Sequence, residues 1–350
     1  MGKILYTLLA LLITLPITTP GYYNKKNYPG ALLCLALATA AWFLGRLLPL
    51  AGGAVIAILL GMLLANFWKY PAFFKCGISA TSKRILQTAI VLFGFQMKAS
   101  SVLALGGQGL VLVFASITTS LILAYFVGKA MRIRSNEQIL VGVGTAICGG
   151  SAIAAIAPVI KAEESEVATA ISTIFLFNVL AVFAFPLAGH LLSMSELRFG
   201  MWCGSAINDT SSVVAAAYSY GDTAGGTATV VKLTRTLMII PMAFVMAFRQ
   251  AKKEGGEGSR FSLLKVFPWF VAAFFLACVI NSTNLVPAQL SASWGSMGKF
   301  CIMMAMAAIG LNTNLRELVR HGKKTLLLGC SCSLAVAAVS LLLQALLGIK

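Results

Sequence analysis

Long apolar runs, each about 20 residues and separated by short basic loops, set the first limit on how this chain can fold. Runs of that length have lipid as their solvent. A backbone without water partners must satisfy its own N–H and C=O groups, which leaves helices or a closed barrel. The runs show no sustained apolar–polar alternation, so they are read as helices. The chain is 59% hydrophobic and only 11% charged, whereas a soluble domain is about one quarter charged.

Twelve apolar segments are predicted, at roughly 4–20, 30–49, 52–68, 84–101, 108–128, 138–160, 167–189, 197–219, 225–248, 263–281, 296–313 and 324–348. The first is read as a retained helix, since no A-x-A cleavage site follows it. The chain is thus an N-terminal hydrophobic segment and loop, 1–29, followed by a single membrane domain, 30–350. The stretch Glu254-Gly255-Gly256-Glu257-Gly258-Ser259, within 249–262, reads as a flexible cytoplasmic linker.

A net charge of +17 would suggest nucleic acid in a soluble protein. Here the bases collect in the odd-numbered loops: Lys25 and Lys26; Lys69, Lys75, Lys83 and Arg84; Lys129, Arg132 and Arg134; Arg198; Arg249, Lys252, Lys253 and Arg260; Arg316, Arg320, Lys323 and Lys324. The even loops are poor in them. The positive-inside rule explains this pattern without nucleic acid, and puts the odd loops in the cytoplasm and both termini outside. The eight cysteines form no CxxC pair and the two histidines, His190 and His321, lie near segment ends, so no metal site or cofactor is expected.

Residues 85–98 and 301–314 look alike at an offset of 216, each an apolar run followed by glycine, an apolar residue and an amide. With the helices that follow, the related stretches are about 84–128 and 299–348. The charge pattern gives them opposite orientations, and inverted repeats with broken helices mark many secondary transporters.

The candidate site is where polar residues enter apolar segments. Gly149-Gly150-Ser151-Ala152-Ile153 and Gly204-Ser205-Ala206-Ile207 share Gly-Ser-Ala-Ile in the middle of two segments. A glycine pair is a poor helix centre. A break there would point freed amides at an anion and freed carbonyls at a cation; close helix packing is the plainer alternative. Asn208, Asp209, Thr210, Ser211 and Ser212 follow the second copy as a dense polar patch. Lys232 and Arg235, three residues apart, share a helical face in the next segment. Charges at membrane depth face a partner or a water-filled path. Either Asp209 pairs with a base to hold two helices together, or these residues form a site for substrate or a coupling ion. Two bases against one acid favour an anionic substrate. Asp209 would then carry a proton, bind sodium or gate the site. Asn178 and Gln87 read as interhelical hydrogen bonds, and Pro241 as a kink.

Three ordered motifs, Gly149 to Ile160, Gly204 to Ala216 and Val231-Lys232-Leu233-Thr234-Arg235, resemble the YeiH family of bacterial inner-membrane proteins, also described as a sulfate exporter family. The likeness covers nearly all of the chain from about residue 30. It implies an all-α polytopic membrane fold of about 11–12 helices, like the sodium/proton antiporters, with inverted repeats, crossing broken helices and elevator-like motion. Family members often carry His before the acidic residue of the second motif. This chain has Asn208, so no histidine relay is available.

The expected function is secondary transport of a small anion, sulfate or an organosulfonate being the candidates, across the bacterial cytoplasmic membrane. Gly149, Gly150, Ser151, Gly204, Ser205, Asn208, Thr210, Ser211, Lys232 and Arg235 would bind the anion and Asp209 would bind H+ or Na+ or act as gate. A cation/proton antiporter built on Asp209 is the alternative. No GxxxxGK[ST] motif supplies ATP binding, and an enzyme is not expected, because Ser151 and Ser205 have no histidine in the apolar core to act as base. Association as a homodimer is left open.

Overall fold

The computed structural model describes residues 25–47, 53–68, 70–253, 269–283, 286–313 and 323–349. Segment 4–20 and most of the linker 249–262 lie outside the described residues. All regular elements among the described residues are helical. In chain order they are α1 (Tyr28–Leu47), α2 (Gly53–Phe67), α3 (Ala72–Ala80), α4 (Leu86–Gly94), α5 (Ala99–Ala130), α6 (Ser135–Ala146), α7 (Gly150–Ile156), α8 (Glu164–Leu191), α9 (Glu196–Ala206), α10 (Thr210–Tyr220), α11 (Asp222–Leu237), α12 (Ile239–Lys253), α13 (Trp269–Ser282), α14 (Ala288–Leu311) and α15 (Lys323–Leu346).

Among the described residues, six helical spans are long and apolar enough to cross a membrane, α11 and α12 together making one of them, and α2 and α13 are shorter apolar helices. The chain is an all-α, multi-pass membrane protein. Segments 138–160 and 197–219 each appear as two half-helices with a break between them. The fourth segment begins earlier than the sequence predicts. A π-helical turn, Thr81–Ile85, joins α3 to α4, so helix extends back to Ala72. Lys75, Lys83 and Arg84 made that stretch read as loop. The helix accommodates the change by burying Gly77 and Ile78 while Lys75 stays exposed.

The chain divides into two compact units, each discontinuous in sequence. Among the described residues, the first takes those within 25–104, 218–220 and 269–313. In it the backbone of α2 meets that of α14 at Gly61 and Gly310, and α1 meets α3 at Gly30 and Gly77, so close that no Cβ fits. Close approach through small residues is how helices pack where lipid removes the hydrophobic drive. Ser291 Oγ, near the start of α14, donates to Phe95 O just past the end of α4 at 2.7 Å. A Cβ on Gly298 would lie 3.1 Å from Phe93 Cζ, so the two helices run antiparallel.

The second unit takes, among the described residues, those within 105–217, 221–253 and 323–349 and contains every residue of the candidate site. Its tightest seam joins α9 to α11. A Cβ on Gly200 would come within 2.7 Å of Ala224 O, and one on Gly204 within 2.7 Å of Ala228 O. Gly200 and Gly204 thus face Ala224 and Ala228, two small residues four apart on each helix. Bulk at these positions would force the helices apart, whereas a Cβ on Gly150 would meet nothing within 4 Å. We expect Gly204→Val to destabilise the protein by about 1–3 kcal/mol, the usual range for overpacking. Gly150→Ala should stay within about 0.5 kcal/mol of the parent. Melting of the purified proteins in detergent checks the pair, and equal melting of both variants would contradict the close-seam reading.

Candidate functional site

Two helix breaks make the site. α6 ends at Ala146, residues 147–149 turn, and α7 starts at Gly150. Gly149 sits at φ 67°, in the left-handed region that glycine enters without strain. The sequence prediction of irregular backbone at Gly149-Gly150 therefore has its physical cause in Gly149. The second break lies between α9, which ends at Ala206, and α10, which starts at Thr210. Asp209 is the N-cap of α10: its carboxylate accepts from Ser211 N at 3.0 Å and from Ser211 Oγ. Asp209 N in turn donates to Asn178 Oδ1 of α8 at 3.1 Å. Asn178 is thus an interhelical hydrogen-bond partner, as its lone amide suggested. The breaks adjoin, since a Cβ on Gly149 would lie 3.4 Å from Asp209 Cβ.

Each break leaves the last carbonyls of a helix without i+4 amides. Lys232 and Arg235 supply the missing donors. Lys232 Nζ donates to Ile147 O at 2.8 Å, to Ile207 O at 2.9 Å and to Asn208 O. Arg235 Nε donates to Ala146 O at 2.6 Å, Nη1 to Ser205 O at 2.8 Å and Ile207 O at 3.2 Å, and Nη2 to Thr145 O. Both side chains are 0% exposed. Neither forms a salt bridge with Asp209. The sequence alternatives were an acid–base lock or bases facing substrate. The structure instead holds both bases on main-chain carbonyls. Cations at helix C-termini are also favoured by the helix dipoles.

The other predicted residues divide between the two sides. Ser205 lies in the last turn of α9, on the carbonyl side; its hydroxyl bonds Met201 O at 2.7 Å and Ser340 Oγ at 2.6 Å. Gly204 serves the α9–α11 seam. Gly150 and Ser151 open α7, where Ser151 is exposed. Asn208, Thr210 and Ser211 are buried around the start of α10, and Asp209 is half-buried. Asn208 Nδ2 donates to Ser333 Oγ at 3.4 Å, while Asn208 Oδ1 and Thr145 Oγ1 are buried without a partner. Beyond α11, the chain turns at Met238 before α12. Pro241 is the reason: it lacks the N–H that would bond Leu237 O, and its ring clashes with that carbonyl.

Sequence reasoning missed Thr145, Ala146 and Ile147, which act through carbonyls that any residue carries. It also missed Ser333 and Ser340 of α15. The glycine pair Gly200 and Gly204, four apart, was a legible signal of the seam that brings α11 against the second break.

The sequence model of the family described as Conserved hypothetical protein 698 matches residues 29–329. The chain belongs to this family. Its curated relatives are called UPF0324 membrane proteins. One from Streptococcus pyogenes serotype M6 is 50% identical over 338 residues, covering 93% of this chain and 99% of the relative. One from Streptococcus agalactiae serotype V is 44% identical over 335 residues, covering 93% and 98%. One from Fusobacterium nucleatum is 42% identical over 346 residues, covering 93% and 99%. This is the YeiH family that the three motifs resemble. For this UPF0324 protein the three motifs coincide with the first break, the second break and the helix that holds the two cations.

Removing Arg235 would take the side-chain donor from the buried carbonyls of Thr145, Ala146 and Ser205, while Ile207 O keeps Lys232, and each unsatisfied buried group costs about 1–3 kcal/mol. Arg235→Ala should therefore lower the melting temperature sharply. Arg235→Lys should recover only part of the loss, because an ammonium lacks the planar fork that reaches several acceptors at once. Arg235→Ala melting with the parent would contradict the role given to this side chain.

Proposed function

We propose that this UPF0324 protein is a secondary transporter of the bacterial cytoplasmic membrane that moves a small anion by alternating access. Sulfate or an organosulfonate is the candidate cargo. One contrast supports this reading. Lys232 and Arg235 are fully buried and make seven hydrogen bonds to carbonyls. Asp209 is half-buried, and its carboxylate is held by the first turn of its own helix. The resident cations are fixed in place, and the resident anion is the displaceable one.

Charge favours the same direction. A helix terminus carries roughly half a charge. The two C-termini and the carboxylate do not offset two full cations plus the α10 N-terminus, which leaves the neighbourhood positive by roughly half a charge. Helix N-terminal amides suit anions. In this mechanism Asp209 is the gate. While ionised, it occupies the amides of α10; once protonated, it releases them to the incoming anion. Proton and anion then move together, and Lys232 and Arg235 contribute field and architecture without touching the cargo.

Asp209, an acid at a helix break and the one half-buried member of the charged trio, is what favours the second reading, a cation/proton antiporter. Against it, the carbonyls that would complete a cation site already accept from Lys232 and Arg235. Uptake of labelled sulfate into proteoliposomes separates the two. It should rise as the outside is made acidic. Asp209→Asn, which keeps a good N-cap but no titratable group, should flatten that dependence. Sodium uptake without sulfate uptake would reject the anion reading, and an unchanged pH profile in Asp209→Asn would reject the gate.

A further inference from the structure

The acceptors around Lys232 fix its chemical state as well as its position. A neutral amine has two N–H donors, and an ammonium has three. Three carbonyl oxygens, of Ile147, Ile207 and Asn208, each accept from Nζ. All three hydrogens of an ammonium are engaged, and none is left for a carboxylate or a cargo anion. The acceptors come from two separate breaks, so one cation holds the end of α6 to the end of α9.

Main-chain carbonyls freed by unwound helix are a donor set with which membrane proteins coordinate small monovalent cations. We infer that Lys232 is a tethered monovalent cation occupying a three-carbonyl cation site formed by Ile147, Ile207 and Asn208, so that the protein needs no sodium to hold its two breaks together. The site is latent: it is available to a free cation only when the lysine side chain is taken away. Residue 232 lies on α11, whose seam with Gly200 and Gly204 delivers the ammonium to the carbonyls. Arg235, one turn on, ties Ala146, Thr145, Ser205 and Ile207 and keeps the carbonyls gathered without Lys232. The inference stands on this geometry alone and does not depend on the nature of the cargo.

Melting of the full-length protein in detergent, followed by tryptophan fluorescence, tests it apart from transport. The wild-type protein should melt at the same temperature in sodium chloride and in choline chloride at equal ionic strength; a sodium-specific rise would overturn the inference. Lys232→Ala should melt lower. Ammonium or ethylammonium chloride should raise its melting temperature by several degrees, and tetramethylammonium chloride, too bulky and without N–H donors, should not. Lys232→Met, whose apolar chain fills the space, should gain nothing from any of these salts. A Lys232→Ala protein indifferent to small ammonium ions, or a Lys232→Met protein equally rescued by them, would show that no cation site exists. Where Lys232→Ala does not fold, the wild-type comparison still decides the sodium claim.

Discussion

A backbone carbonyl inside a membrane must find a donor, and the rest of this structure follows from how two helix breaks meet that demand. Unwinding α6 from α7 and α9 from α10 frees the carbonyls of residues 145–147, 205, 207 and 208 where lipid offers no water. Lys232 and Arg235 answer them from one face of α11. Burying two cations is expensive on its own, but here the helix termini and the hydrogen bonds offset the desolvation. The breaks and the buried charges therefore stabilise each other, and neither is tolerable without the other.

This arrangement gives the charged residues unequal parts. The bases are tied to the scaffold, while the acid caps a helix within its own turn and keeps some exposure. Asn178 adds a constraint from α8 by accepting the Asp209 amide, which fixes the backbone and leaves the carboxylate free to respond. The membership in the UPF0324 family fits a membrane-embedded site, and the proposal of an anionic cargo rests on the charge distribution around the breaks.

Much of the fold was legible because lipid imposes simple rules. Apolar length and basic loops located the helices, and Gly149-Gly150 announced a break through conformational freedom alone. The fourth helix was misplaced because Lys75, Lys83 and Arg84 read as loop, whereas a π turn carries the helix through them. The polar residues of the site were found by their rarity in apolar segments. Their partners were not, since Lys232 and Arg235 bond the main chain of Thr145, Ala146, Ile147, Ser205, Ile207 and Asn208. A carbonyl has no signature in the sequence. Ser205 illustrates the same limit: its place in a shared Gly-Ser-Ala-Ile suggested the amide side of a break, yet it ends α9 and supplies a carbonyl to Arg235.

The most direct measurement is anomalous diffraction from crystals soaked in selenate, an isostere of sulfate, with rubidium as the competing cation probe. The account expects a selenium peak at the first turn of α10, beside residues 209–212, with Lys232 and Arg235 still on their carbonyls. A rubidium peak among those carbonyls with no selenium at the turn, or selenate in direct contact with Lys232 and Arg235, would contradict it.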